Sequence, residues 1–294
     1  MSKLQQATEL LGKVKRIEVK ARGLSEQVFA GQYHSAFRGR GMAFSEVRNY
    51  QVGDDVRDID WNVTARYAHP FVKVFEEERE LTIMLLIDLT GSTLYGTQTT
   101  TVRELMAEVA ATLAFSAMQN NDKIGAVFFS DQVELYIPPR SGRKHILHII
   151  RELLGFEPRS QRTDLNIPLS YLMKTVKKRC TAFLISDFLQ DGESYQRNMI
   201  LASRKHDLIA MRAYDPNEAE LPDMGLAYLQ DAESGERIWV DTSDTSVRRA
   251  YREGYQAQLD ACSKACLQSA TDLVHLATGQ DFALELRRLF KHRS

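Results

Sequence analysis

The sequence predicts an α/β fold: a doubly wound, mostly parallel sheet with helices on both faces. Three observations carry this. From residue 81 onward, apolar runs of strand length alternate with helix-patterned segments. Two of those runs end in an acid, Asp88 and Asp187, at the strand ends where sheets of this kind bind ligands. Residues before 80 show only short, irregular patterns. The chain therefore divides into an N-terminal irregular and β extension (1–79), an α/β domain (80–243) and C-terminal helices (244–294).

Each element follows from local pattern. Leu4, Leu10, Leu11 and Val14 suggest a short amphipathic helix. Gly31, Gly39 and Gly41 punctuate polar and aromatic runs, as in hairpins or loops. Pro70 precedes Phe71 to Phe75, whose alternation reads as a half-buried strand. Leu81 to Asp88 is a strand, and Thr100 to Asn120 a helix with Leu105, Val109, Leu113 and Met118 toward the core. Lys123 to Ser130 is the next strand, and Val133 to Pro138 returns beside it as a hairpin. Lys144 to Leu154 and Asn166 to Lys177 are helices, Cys180 to Ser186 a strand, Tyr195 to His206 a helix and Leu208 to Tyr214 a strand. Leu226 to Leu229 and Arg237 to Val240 flank Glu233-Ser234-Gly235-Glu236 as an edge hairpin. Thr245 to Thr278 reads as largely helix, and Phe282 to Lys291 as a last short one.

Composition narrows the function. The chain has 294 residues, 44% of them hydrophobic, enough for a full core. Its 38 basic and 39 acidic residues leave a net charge of -1, so no global field draws it to nucleic acid or an anionic membrane. Arg38, Arg40, Arg140, Arg143 and Lys144, with Tyr33, Phe37 and Phe44, form small clusters that a solvated surface explains as well as a nucleic-acid interface does. Cys180, Cys262 and Cys266 include no CxxC pair, which favours a reducing compartment over a disulfide framework. Cys262 and Cys266 are four apart and read as ordinary thiols on one helix face. The N-terminus lacks the pattern of a signal peptide, and no apolar run reaches the length of a bilayer span. A soluble, cytoplasmic protein is expected.

The candidate site begins at Asp88-Leu89-Thr90-Gly91-Ser92, where an apolar strand ends in one carboxylate and two hydroxyls on a turn that Gly91 lets bend. Mg²⁺ takes six oxygens and keeps waters when the protein supplies few. Thr163, in the loop Arg162-Thr163-Asp164, adds a hydroxyl, and Asp187 ends a second apolar strand. Alone, Asp-x-Thr-Gly-Ser is weak, because strand-to-helix turns use the same residues for capping. All three segments in order, each at an element boundary, are stronger. They resemble the von Willebrand factor A fold and its metal-ion-dependent adhesion site, Asp-x-Ser-x-Ser with a distant Thr and a distant Asp. Thr90 departs from that pattern where Ser is usual. The resemblance implies a metal set of Asp88, Thr90, Ser92, Thr163 and Asp187 around Mg²⁺ or Mn²⁺. It implies direct coordination by Ser92, Thr90 and sometimes Thr163, with the two acids acting partly through water. A partner's Asp or Glu would complete the shell.

Upstream, Phe44 to Arg66 interleaves Arg48, Asp54, Asp55, Arg57, Asp58, Asp60 and Arg66 with Tyr50, Ile59 and Trp61. A salt-bridge network around a buried Trp is the expected reading. The run R-x-Y-x-x-G-D-D-x-R-x-I-D-W-x-x-x-A-R (Arg48 to Arg66) also resembles bacterial domain-of-unknown-function family 58, over roughly residues 35 to 245. The resemblance implies a von Willebrand factor A-like domain acting as adaptor or co-chaperone of a MoxR-type AAA+ ATPase. It points to the short soluble branch, since many relatives carry transmembrane segments. No GxxxxGK[ST] loop occurs, so the chain is not itself that ATPase.

Two alternatives stand beside this one. A phosphohydrolase of the haloacid dehalogenase type would use Asp88 as nucleophile, but Thr90 occupies the place of that class's second Asp. The other is a von Willebrand factor A-like scaffold whose metal site is not functional. His145, His148 and His275 fall on helix patterns as packing or surface residues. No His is placed by sequence to activate Ser92.

Overall fold

The computed structural model describes residues 3–29, 42–77, 81–96, 100–230 and 235–293. Its elements in chain order are α1 (Lys3–Phe29), β1 (Met42–Asn49), α2 (Trp61–Tyr67), β2 (Phe71–Glu77), β3 (Thr82–Asp88), α3 (Val102–Gln119), β4 (Lys123–Phe129) and β5 (Val133–Arg140). There follow α4 (Arg143–Gly155), α5 (Asn166–Thr175), β6 (Thr181–Ser186), α6 (Gly192–Lys205), β7 (Asp207–Tyr214), β8 (Leu226–Gln230), β9 (Arg237–Asp241), α7 (Thr245–Gln268), β10 (Asp272–Ala277) and α8 (Phe282–Arg293).

The main sheet runs β10-β7-β6-β3-β4-β5. All its neighbours pair in parallel except β5, which returns antiparallel beside β4 at one edge. β3 lies in the middle and is buried from Ile83 to Asp88, as expected of a strand with a continuous apolar run when both faces are covered. Alternate residues feed two cores. Ile83, Leu85 and Ile87 join α1, α3, α4 and α8 on one face. Met84 and Leu86 join α5, α6 and α7 on the other. The doubly wound architecture expected from the sequence is therefore the one observed.

The winding direction reverses at β3. The path β3–α3–β4 moves toward one edge, and β6–α6–β7 moves toward the other. The carboxyl ends of β3 and β6 thus flank a topological switch point, where open α/β sheets form a crevice.

Several elements differ from expectation. Residues 272–277 form β10, an edge strand parallel to β7, and not a continuation of the preceding helix. α7 stops at Gln268, and Ala270 takes a left-handed conformation (φ 50°). No Gly or Pro marks that turn, so the helical pattern conceals it. The N-terminal helix is 27 residues long, not short. Val14, Ile17 and Ala21 bury it in the first core, while Lys13–Glu104 (2.8 Å), Lys20–Glu108 (2.6 Å) and Glu18–Arg143 (2.7 Å) tie its flanks to α3 and α4. The hairpins expected around Gly31, Gly39 and Gly41 lie outside the described residues. In the Arg48 to Arg66 run, Arg48 grips Asp54 with two bonds of 2.7 Å, but Trp61 is 66% exposed. The acids there are used locally: Asp55 and Asp60 cap the helical turns that follow them, and among the described residues the indole joins neither core. Cys262 and Cys266 lie buried on α7 within the second core.

Candidate metal centre

Asp88 is the last residue of β3 and is fully buried. Its Oδ1 accepts from the backbone N–H of Thr90 (3.0 Å) and from Thr90 Oγ1 (2.7 Å). Its Oδ2 accepts from Ser186 Oγ (2.7 Å), at the end of β6. Residues 91–94 form a single 3₁₀ turn that lifts Ser92 toward solvent. Thr90 Oγ1 lies 3.3 Å from Ser92 Oγ. Thr163 Oγ1 donates to Thr90 Oγ1 at 3.0 Å, bringing in a segment 73 residues away. Asp187 follows Ser186 and is 6% exposed; its Oδ1 accepts from the N–H of Leu189 at 3.1 Å.

Asp88, Thr90, Ser92 and Thr163 are thus brought into one hydrogen-bonded cluster. Asp187 stands at the neighbouring strand end, close enough for its charge to act on Asp88. Burial, and then that charge, push the Asp88 carboxyl up to about 7, against the bonds from Thr90 and Ser186. Two acids held this close in a dry place make it costly for both to carry charge.

The donor set fits a hard divalent cation. Every donor is an oxygen. Neighbouring ligands of an octahedral Mg²⁺ at 2.0–2.1 Å lie about 2.9 Å apart, close to the 3.0 and 3.3 Å between the hydroxyls. Among the described residues no group of three or more His, Cys, Asp or Glu is placed to hold a metal. A cation here would accordingly depend on the hydroxyls as well as on the two acids.

Four nearby residues escaped the sequence reading. Ser186 is adjacent to Asp187 and was visible as a hydroxyl at a strand end. Arg103, near the start of apolar α3, and Arg212, inside β7, are both buried. Arg212 Nε donates to the carbonyl of Asp187 at 3.2 Å, and Nη2 donates to Tyr255. Its guanidinium lies over the Tyr214 ring, 4.1 Å from the centroid. Glu218 is pushed up to about 7, by burial first and in part by the Asp187 charge. Its Oε2 is buried with no partner among the described residues.

Comparison with known proteins adds the relatives. The profile of the family described as "Protein of unknown function DUF58" matches residues 46–261. The uncharacterized protein Rv1480 of Mycobacterium tuberculosis is 29% identical over 287 residues, 97% of this chain and 90% of its own length. The uncharacterized protein Mb1516 of Mycobacterium bovis matches to the same extent. Among solved structures, the conserved hypothetical protein BatB from Bacteroides thetaiotaomicron aligns with a TM-score of 0.49 and 14% identity, over 72% of this chain and 98% of that one.

Proposed function

This chain belongs to the DUF58 family, and from that premise we propose that it is a protein-interaction module that binds a partner's carboxylate through a divalent cation. The observation that carries the reading is the convergence of Thr90, Ser92 and Thr163 beside Asp88 and Asp187. Asp88, Thr90, Ser92, Thr163 and Asp187 would hold Mg²⁺ or Mn²⁺. The bound cation supplies a positive centre that a foreign Asp or Glu can ligate.

The protein's own groups prepare that docking. Asp88 is held by three donors, so its orientation is set before any ligand arrives. Ser92 and Thr163 are only half-buried, which leaves both open to a partner. The charges of Asp88 and Asp187 would offset one divalent ion, which would still lack ligands and so attract an anion. The phosphohydrolase alternative gains no support. Both oxygens of Asp88 are engaged and the side chain is fully buried, which is poor placement for a nucleophile.

The partner inferred from the family resemblance is a MoxR-type AAA+ ATPase, or a client of it that supplies the acid. Immobilised protein should retain the cognate ATPase in ATP with Mg²⁺, and chelation or Asp187→Ala should reduce retention by about tenfold. No association in either condition rules out that partner. Association indifferent to chelation rules out the metal bridge.

A further inference from the structure

Arg103 lies at the second position of α3 and is 8% exposed. A guanidinium so placed is costly unless its donors are met. Nη2 donates to the carbonyl of Leu89 at 2.7 Å, and Nε to Oγ1 of Thr93 at 3.2 Å. Leu89 and Thr93 bracket the turn that holds Thr90 and Ser92. Thr93 Oγ1 in turn donates to the carbonyl of Thr90 at 2.8 Å. Nη1 donates to the carbonyl of Phe156 at 3.1 Å, where α4 gives way to the segment carrying Thr163. One rigid fork therefore holds both ends of the turn and the start of the neighbouring segment. A lysine ammonium on a single stem lacks that planar, three-directional geometry.

We propose that Arg103 is a positioning residue of the metal site, setting Thr90 and Ser92 at coordinating separation while touching neither cation nor partner. The inference rests on the metal reading above. A guanidinium that only secured the start of α3 would affect stability and leave metal affinity alone. The fork's grip on both sides of Ser92 predicts otherwise, since groups that orient ligands typically change metal affinity by about 10–100-fold.

The test is a double-mutant cycle on Mg²⁺ affinity, read by calorimetry at a temperature where circular dichroism shows each variant folded. Arg103→Lys keeps the charge and loses the fork. It should weaken Mg²⁺ binding by about tenfold. Ser92→Ala on its own should also weaken it, and the double variant should fall short of the product of the two losses by about threefold or more. Wild-type affinity in Arg103→Lys, or losses that simply multiply, would overturn the proposal while leaving the metal site standing. Absence of Mg²⁺ binding by the wild type would instead overturn the metal reading and this inference with it. Thr93→Val removes one acceptor of the fork and carries the same cycle if Arg103→Lys does not fold.

Discussion

Some buried polar side chains in this protein have every polar atom bonded, and others leave one atom without a partner among the described residues. His206, at the end of α6, belongs to the second kind. It is fully buried, its Nδ1 lies 3.3 Å from Cys180 Sγ, and its Nε2 has no partner among the described residues. Burial first, then the charges of Lys205 and Arg179, push its pKa down to about 4. Below the ordinary histidine value near 6.5 the unfolded chain takes up a proton that the folded protein refuses until about pH 4. Stability therefore falls as pH drops through that window and is retained above it. Urea unfolding should show wild type losing about 1–2 kcal/mol more than His206→Gln between pH 7 and pH 5; equal losses would remove His206 from the account. Residue chemistry was legible in the sequence where it is local. Asp88, Thr90 and Ser92 share one turn, and Asp187 ends a recognisable strand. Arg103 and Arg212 were not, because their acceptors, Leu89 and Phe156 for one and Asp187 for the other, come from remote segments.

Elements were legible in proportion to their periodicity. β3, β4, β6 and β7 are mostly apolar runs, α3 is apolar on nearly every side and α4 carries a clear apolar stripe, so pattern alone identified them. β10 escaped because Ser269-Ala270-Thr271 offers no breaker between a helix and a strand, and its edge position is set by pairing with β7. Packing between elements also leaves marks that periodicity does not carry. Gly192 starts α6 against α7, and a Cβ there would stand 2.7 Å from the Ala261 carbonyl oxygen and 3.1 Å from its Cβ. The backbone atom cannot rotate away, so the helices must separate. Gly192→Ala should destabilise the protein by about 1–3 kcal/mol in urea, despite alanine's better helix propensity. A neutral or stabilising result would mean that α6 and α7 separate without cost.

At the scale of the molecule, the fold places the candidate site. A sheet wound both ways from β3 leaves one crevice at the carboxyl ends of β3 and β6, and Asp88, Ser186 and Asp187 are the residues that fall there. The net charge of -1 conceals this local gathering of acid, which is why composition spoke against nucleic acid but said nothing about a cation. Among the described residues no helix is long and apolar enough to cross a membrane. The central claim is that the five oxygen-bearing residues bind a divalent ion. Titrating Mg²⁺ into the purified protein by calorimetry tests it most directly. The account predicts one bound ion per chain, with affinity reduced about tenfold or more in Asp88→Asn. No binding by the wild type, or undiminished binding by Asp88→Asn, would contradict it.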